Sequence, residues 1–488
     1  MNKDSDHAFF GQPRGLATLA FTEFWERFSY YGMKAILLYY MYFAVTKGGL
    51  GMDKATAMSV TAIYGSLVYL SSILGGFAAD RLWGGHKTVF IGGIFIMFGH
   101  IFLALPFGEM ALFASIALIV IGTGLLKPNI SEMVGGLYSK EDTRRDSGFS
   151  MLVMGINLGS FIAPLIVGWL GQKVNFHLGF SLAAIGMAIG LFFFVVDGNK
   201  YLNKDDFAAP DPLQADEVKA LVIKVVAAIV VVAAIFGIMG VTGNFNLTNV
   251  INFITLIAII VPIAYFVMFL TSKKVTKVER SRVWAYIPLF IAAVIFWAIE
   301  EQGSVVLAMF AQTQTNLNFL GFTIPASWFQ SLNPLFIVLY TPFFAWLWMH
   351  LGKKQPSSPK KFTLGLVFAG LSFIVMMLPV GMHGTHSLVS PLWLVLSWAI
   401  VEIAELLISP VGLSVTTKLA PRAFRSQMMS MWFLADAAAQ AINAQVVKLY
   451  TPANEFWFFG LVGGATVLLA VVLLFVTPRI EKLMAGVN

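Results

Sequence analysis

Between Val225 and Ser272 the chain has not one acidic, basic or histidine residue. About 20 consecutive apolar residues cross a bilayer as a helix, so this stretch alone has length for two crossings. Comparable apolar segments recur along the whole chain. The sequence is 58% hydrophobic and 12% charged, with a mean hydropathy of +0.79, whereas soluble domains carry about 25% charged residues. It reads as an all-α integral membrane protein. The hydropathy pattern predicts about fourteen spans, near 16–45, 53–79, 87–106, 110–138, 146–170, 177–197, 220–242, 248–271, 283–313, 323–350, 362–382, 388–417, 424–449 and 454–477.

Lys and Arg set the expected orientation. One series of alternate loops holds Arg81 and Lys87, then Lys140, Arg144 and Arg145, then Lys200 and Lys204. The same side continues with Lys273, Lys274, Lys277, Arg280 and Arg282, and with Lys353, Lys354, Lys360 and Lys361. It closes with Lys418, Arg422 and Arg425, and with Arg479 and Lys482. The opposite loops offer Lys47, Lys54, Lys173 and Lys448. Both termini are therefore expected in the cytoplasm. The net charge of +7 lies in these short loops, where it serves topology and speaks against nucleic acid as a partner. The absence of cysteine excludes disulfides, thiolate metal sites and Cys-ligated clusters. Residues 1–14 show no signal-peptide pattern, so the first span is expected to direct insertion.

The most polar connection runs from Asp197 to Lys219. The two uncharged spans after it have little to offer a central cavity and read as an accessory hairpin. Setting them aside leaves six spans, then six, with units expected at 1–198, 199–272 and 273–488.

The intramembrane charges follow that count. Glu23, Glu26, Arg27 and Lys34 fall on the first span, Lys127 on the fourth, Glu300 and Glu301 on the seventh of twelve, and Glu402 and Glu405 on the tenth. These are the first and fourth helices of each half. Transporters built from repeated three-helix units place corresponding helices around a midplane site. Ionisable residues within spans face a bundle interior or an aqueous cavity. On the first helix, residues three and four apart share a face, so Glu23, Glu26, Arg27, Tyr30, Tyr31 and Lys34 form one polar stripe. Asp436, one turn beyond Trp432, breaks the pattern; it reads either as a local helix–helix bond or as an added wall group.

The run Gly75-Gly76-Phe77-Ala78-Ala79-Asp80-Arg81-Leu82-Trp83-Gly84 resembles the loop signature of the major facilitator superfamily, with Asp80 and Arg81 placed to pair or cap at a neighbouring helix end. Glu23-x-x-Glu26-Arg27-Phe28-x-Tyr30-Tyr31-Gly32 resembles the first-helix signature of the proton-dependent oligopeptide transporter family. Gly122 to Asn129, Gly155 to Ser160, Trp297 to Ser304 and Glu405 to Gly412 resemble that family's fourth-, fifth-, seventh- and tenth-helix segments. The resemblance implies a major facilitator fold of two six-helix bundles plus an inserted two-helix hairpin, fourteen transmembrane helices in all. It implies a proton-coupled symporter importing di- and tripeptides through a bacterial inner membrane, not an enzyme, with the proton as coupling ion, the lipid bilayer as surroundings, and no cofactor or metal.

By the same resemblance, Arg27, Lys34 and Lys127 would receive a peptide carboxylate, and Glu301 with Asn157 and Asn333 its ammonium. Tyr30, Tyr31, Tyr69, Trp297 and Trp432 would form walls, although aromatics taken singly also read as core or lipid-facing packing. Lys34 with Glu301 and Lys127 with Glu405 would be the outer and inner gating pairs. The coupling proton is expected on Glu23 or Glu26 beside Arg27, with Glu300 or Glu301 as the rival. A carrier of nitrate, a glycoside or a drug-like anion on the same frame is the alternative within transport. A cofactor-binding membrane enzyme subunit is the alternative outside it, and neither spaced histidine pairs within spans nor a phosphate-cradling glycine loop supports it. The histidines at 7, 86, 100, 177, 350, 383 and 386 are scattered over loops and span ends.

Overall fold

The computed structural model describes residues 9–486 apart from 140, 141, 143, 320, 385 and 386; of the residues named above, His7, Lys140 and His386 lie outside the described residues. The fold is helical nearly throughout. The first six helices are α1 (Arg14–Tyr42), α2 (Lys54–Ala78), α3 (Gly85–Ala104), α4 (Gly108–Gly136), α5 (Arg145–Trp169) and α6 (Phe176–Tyr201). Two more, α7 (Ala215–Val241) and α8 (Leu247–Thr271), form a hairpin. Then come α9 (Lys277–Glu300), α10 (Val306–Gln314), α11 (Leu332–Leu351), α12 (Ser358–Ile374), α13 (Met377–His383), α14 (Leu392–Leu419), α15 (Arg425–Val446) and α16 (Glu455–Leu483). Polar caps set several starts: Asp53 accepts from Thr56 N at 2.9 Å, and Thr276 and Glu279 form a capping box on α9.

Among the described residues, twelve helical stretches are long and apolar enough to cross a membrane. α1 and α15 are not among them, because their sequences carry the charge and amide groups of the interior. A helix screened from lipid by its neighbours can do so, and most of α1 is buried.

In two places an expected single span is broken. The stretch at 283–313 divides at a 3₁₀ turn over Glu301–Ser304, between α9 and α10. Packing fixes that turn, since a Cβ on Gly303 would collide with the Trp398 ring. The stretch at 362–382 divides into α12 and α13. A short hairpin, β1 (Asn318–Phe319) and β2 (Phe322–Thr323), occupies the connection before α11 and takes the first residue of the span expected at 323–350.

In the first half α1 packs on α5 and α6, α3 on α4 and α6, and α2 on α4. In the second half α12 packs on α14 and α16, and α9 on α15 and α16. The halves meet where α2 lies along α15, and where α5 meets α11 and the 3₁₀ turn Ala326–Ser331. The α2–α4 contact is backbone to backbone: a Cβ on Gly75 would strike the Gly124 carbonyl, and one on Gly124 would strike Ser71. Ser71 Oγ and Asn129 Nδ2 fasten the same seam, donating to Val120 O at 2.8 Å and Gly75 O at 3.0 Å.

The hairpin lies outside this frame. α7 buries no residue, while α8 buries Ile251, Thr255, Ala258, Pro262 and Phe269. It is fastened to α15 by Gln445 Nε2, which donates to Thr255 Oγ1 at 3.1 Å.

The signature loop departs from expectation. Gly84 turns the chain into α3 at φ +80°, a conformation open to glycine. Arg81 is satisfied by the connection between the halves together with the N-terminal turn of α7, and not by a helix of its own bundle. It pairs with Asp211 and, at 2.6 Å, with Glu217. Asp211 N and Leu213 N donate to the Asp80 and Arg81 carbonyls at 3.1 Å each. His86 stacks between Phe194 and Phe207 beneath the same connection.

Candidate functional site

α1 turns its polar stripe inward, and its charges divide into two groups. Arg27 Nε pairs with Glu26 and, at 3.2 Å, with Glu23, and all three side chains are buried. The guanidinium carbon lies 5.2 and 6.0 Å from the Tyr30 and Tyr31 ring centres. Glu23 Oε2, Glu26 Oε1 and Arg27 Nη2 have no hydrogen-bond partner among the described residues. Buried ionic groups need their partners, so this cluster holds together as a unit.

Two turns further along, Lys34 crosses to the second half and meets Glu301 Oε2 at 2.8 Å. Beside this pair a cavity of about 360 Å³ opens between the halves. Tyr30, Tyr31, Lys34, Tyr69, Asn157, Trp297, Glu300, Glu301, Asn333 and Glu405 all line it. Arg27 does not; it is held behind the two tyrosines, against the expectation that it faces substrate directly. Asn157 donates its amide to Val153 O on its own helix at 2.9 Å.

The acidic wall belongs to the second half. Asn333 Nδ2 donates to Glu300 Oε1 at 2.7 Å and Glu402 Oε1 at 2.8 Å, and stands 3.5 Å from Glu405 Oε2. Oxygens of the three carboxylates lie within 4.8 Å of one another. Hard oxygen donors at that reach could hold a cation, yet the Asn333 amide already occupies their point of convergence. Glu402 has no role in the sequence reading beyond its place on the tenth span; its signal was the i, i+3 spacing from Glu405. Ser160, the last residue of the fifth-helix segment, also lines the cavity, as do Gln330 and Trp398, which carried no sequence signal.

A second cavity of about 170 Å³ adjoins the first, sharing Tyr69 and Trp297 and adding Lys127, Ser409, Trp432, Phe433 and Asp436. Trp297 and Trp432 meet edge to face, 6.2 Å apart. Lys127 and Glu405, the expected inner pair, are not joined. Lys127 Nζ lies 4.4 Å over the Tyr69 ring, and no carboxylate of a described residue forms an ion pair with it. Asp436 accepts from Gln440 Nε2 of its own helix at 2.8 Å and faces the small cavity, which makes it a wall group.

Several hydrogen bonds cross between the halves toward the end whose loops are poor in Lys and Arg. Tyr39 Oη donates to Ala308 O at 3.0 Å, Ser59 Oγ to Ala444 O at 2.8 Å, and Ser66 Oγ to Ala437 O at 2.7 Å. Gln172 Nε2 donates to Gln312 Oε1 at 3.1 Å, and Ser331 Oγ to Phe161 O at 2.7 Å. With Lys34–Glu301 they join the halves at that end.

A Bacillus subtilis protein, the uncharacterized transporter YclF, is 56% identical to the chain, covering 98% of it and 96% of the relative. A di-/tripeptide transporter of Lactococcus lactis subsp. cremoris is 52% identical, covering 100% of the chain and 99% of the relative. A crystal structure of the peptide transporter POT with sulfate superposes with a TM-score of 0.95 at 56% identity, covering 98% of the chain and 97% of that structure. The sequence model of the POT family matches residues 86–461. The chain is a transporter and belongs to the POT family.

Proposed function

We propose that this transporter imports di- and tripeptides together with protons by alternating access. The observation that carries the reading is the charge arrangement of the larger cavity. A cation from the first half, Lys34, faces an acidic wall of Glu300, Glu301 and Glu405 from the second, with tyrosine and tryptophan between. A zwitterionic peptide brings an ammonium and a carboxylate at a nearly constant spacing whatever its side chains, and Asn157 and Asn333 offer further hydrogen bonds. Arg27 would join the carboxylate site only after its pairing with Glu23 and Glu26 loosens, which ties peptide binding to a proton on one of the two carboxylates. Lys127 and Trp432 would act from the adjoining cavity.

The closed Lys34–Glu301 pair and the separated Lys127 and Glu405 correspond to a state open toward the Lys- and Arg-rich loops. On this reading fourteen helices cross a bacterial inner membrane, as six-helix units at 1–198 and 273–488 with the hairpin unit 199–272 between. Both termini then face the cytoplasm, and the coupling proton is the one bound species besides substrate and lipid. Uptake of labelled dialanine into proteoliposomes tests the proposal. Accumulation is expected with an inward proton gradient, and equal uptake with and without the gradient would refute coupling.

A further inference from the structure

We infer that Asp436 is the counter-ion of Lys127 while the inner end is open, and that Lys127 exchanges it for Glu405 when that end closes. The inference rests on the alternating-access reading and adds to it a residue without a role so far. Lys127 is a cation inside the fold with a ring beneath it and no ion pair to a described carboxylate. A buried ammonium is held by a compensating charge, directly or through bridging water. Asp436 supplies the matching deficit: it is 2% exposed, and its hydrogen bond comes from Gln440, a neutral amide. The two charges look into one small, largely aromatic cavity, roomy enough for water to bridge them.

Glu405 stands apart in this state, beside Asn333 and the other two carboxylates. It belongs to α14 and Asp436 to α15, both of the second half, whereas Lys127 belongs to α4 of the first. Rocking one half against the other therefore changes which of two acidic stations the same ammonium faces. A stationary counter-ion on the open side keeps Lys127 from being stranded and sets how readily the inner end closes.

The chain has no cysteine, so spin labels attach only at introduced sites. Ser131→Cys on α4 and Gln427→Cys on α15 are both exposed and near the inner end of opposite halves. Distances between them are measured by pulsed electron resonance in peptide-free nanodiscs. Asp436→Asn is expected to raise the ratio of short to long separations at least twofold, because Lys127 then has Glu405 as its remaining acidic station. Asp436→Glu is expected to keep the parent distribution. In a Lys127→Gln background, Asp436→Asn is expected to change nothing further. A parent-like distribution in folded Asp436→Asn overturns the inference, and so does an equal shift in the Lys127→Gln background. Should Asp436→Asn fail to fold, Asp436→Ser carries the same test. Dialanine uptake by the parent is scored separately; its failure would count against the proposed substrate and leave the distance result standing.

Discussion

Lys34 and Glu301 meet at 2.8 Å where the helix begun at Lys277 gives way to a 3₁₀ turn. Each side chain is 12% exposed, so neither is free to turn to bulk water. Replacing one partner strands the other, which costs about 3 kcal/mol for a buried pair. Glu301→Gln is expected to lower the thermal unfolding midpoint and abolish accumulation of peptide. Lys34→Gln/Glu301→Gln is expected to recover much of the midpoint but not the transport, because losses at touching residues do not add. Thermal scans and uptake on the same preparations check this.

Specificity follows from anchoring both peptide ends. Acetylating the amine or amidating the carboxylate of dialanine removes one charge-assisted contact, about 1.5–3 kcal/mol, or roughly ten- to a hundredfold in affinity. Competition against labelled dialanine is expected to show that loss for each blocked peptide, and a smaller one for exchange of a side chain. Equal competition by blocked and free peptides would exclude an anchored site.

The Glu23–Glu26–Arg27 cluster makes a kinetic prediction. With both carboxylates at one guanidinium, neutralising either fixes the cluster in one protonation state. Glu23→Gln and Glu26→Gln are each expected to abolish uptake driven by a proton gradient and to allow peptide counterflow without one. A variant that still concentrates peptide would place the coupling proton elsewhere.

The hairpin and its connection are expected to separate on deletion. α7 buries nothing, so replacing 221–270 by a short polar linker is expected to retain coupled uptake per folded molecule. Extending the deletion to Lys204 removes Asp211 and Glu217, the partners of Arg81, and is expected to lower the thermal midpoint markedly. If both deletions behave alike, the Arg81 contacts do not stabilise the loop.

The connection also carries a pH dependence. Burial, with Glu132 and Asp205 adding to it, pushes the Asp206 carboxyl up from 3.8 to about 6. The docked connection therefore binds this proton more tightly than a free one. Docking is favoured at low pH and weakens as pH rises from about 4 to about 6, after which the penalty is constant. Hydrogen exchange in 204–213, corrected for intrinsic rates, is expected to be slower at pH 5 than at pH 7.5. Asp206→Asn should remove the difference.

Much of this was legible in the residues. Hydropathy alone placed the long helices, and charges such as Lys127 and Glu405, costly in hydrocarbon, marked the lining helices. The breaks near Glu301 and Val375 were not legible: the chain is apolar straight through Val375, and the polar run Glu300–Ser304 reads as a site on a continuous helix, while packing, as at Gly303 against Trp398, decides where a helix stops. Nor was the seat of Arg27 behind Tyr30 and Tyr31: spacing on α1 gives a shared face but not which of its residues reach the cavity. The partners of Arg81 escaped because Asp211 comes from a polar connection without periodicity and Glu217 from the first turn of a helix remote in sequence.

Tyr69 and Lys127 belong to α2 and α4, whose backbones interlock at Gly75 and Gly124. Neither helix can slide past the other without glycine meeting carbonyl, so the ring and the ammonium above it travel as one plate. Asp436 rides on the opposite half. The ammonium is thus shared by two spacings, one locked and one free to vary. Any probe of the first reads the integrity of the plate, and any probe of the second reads the angle between the halves.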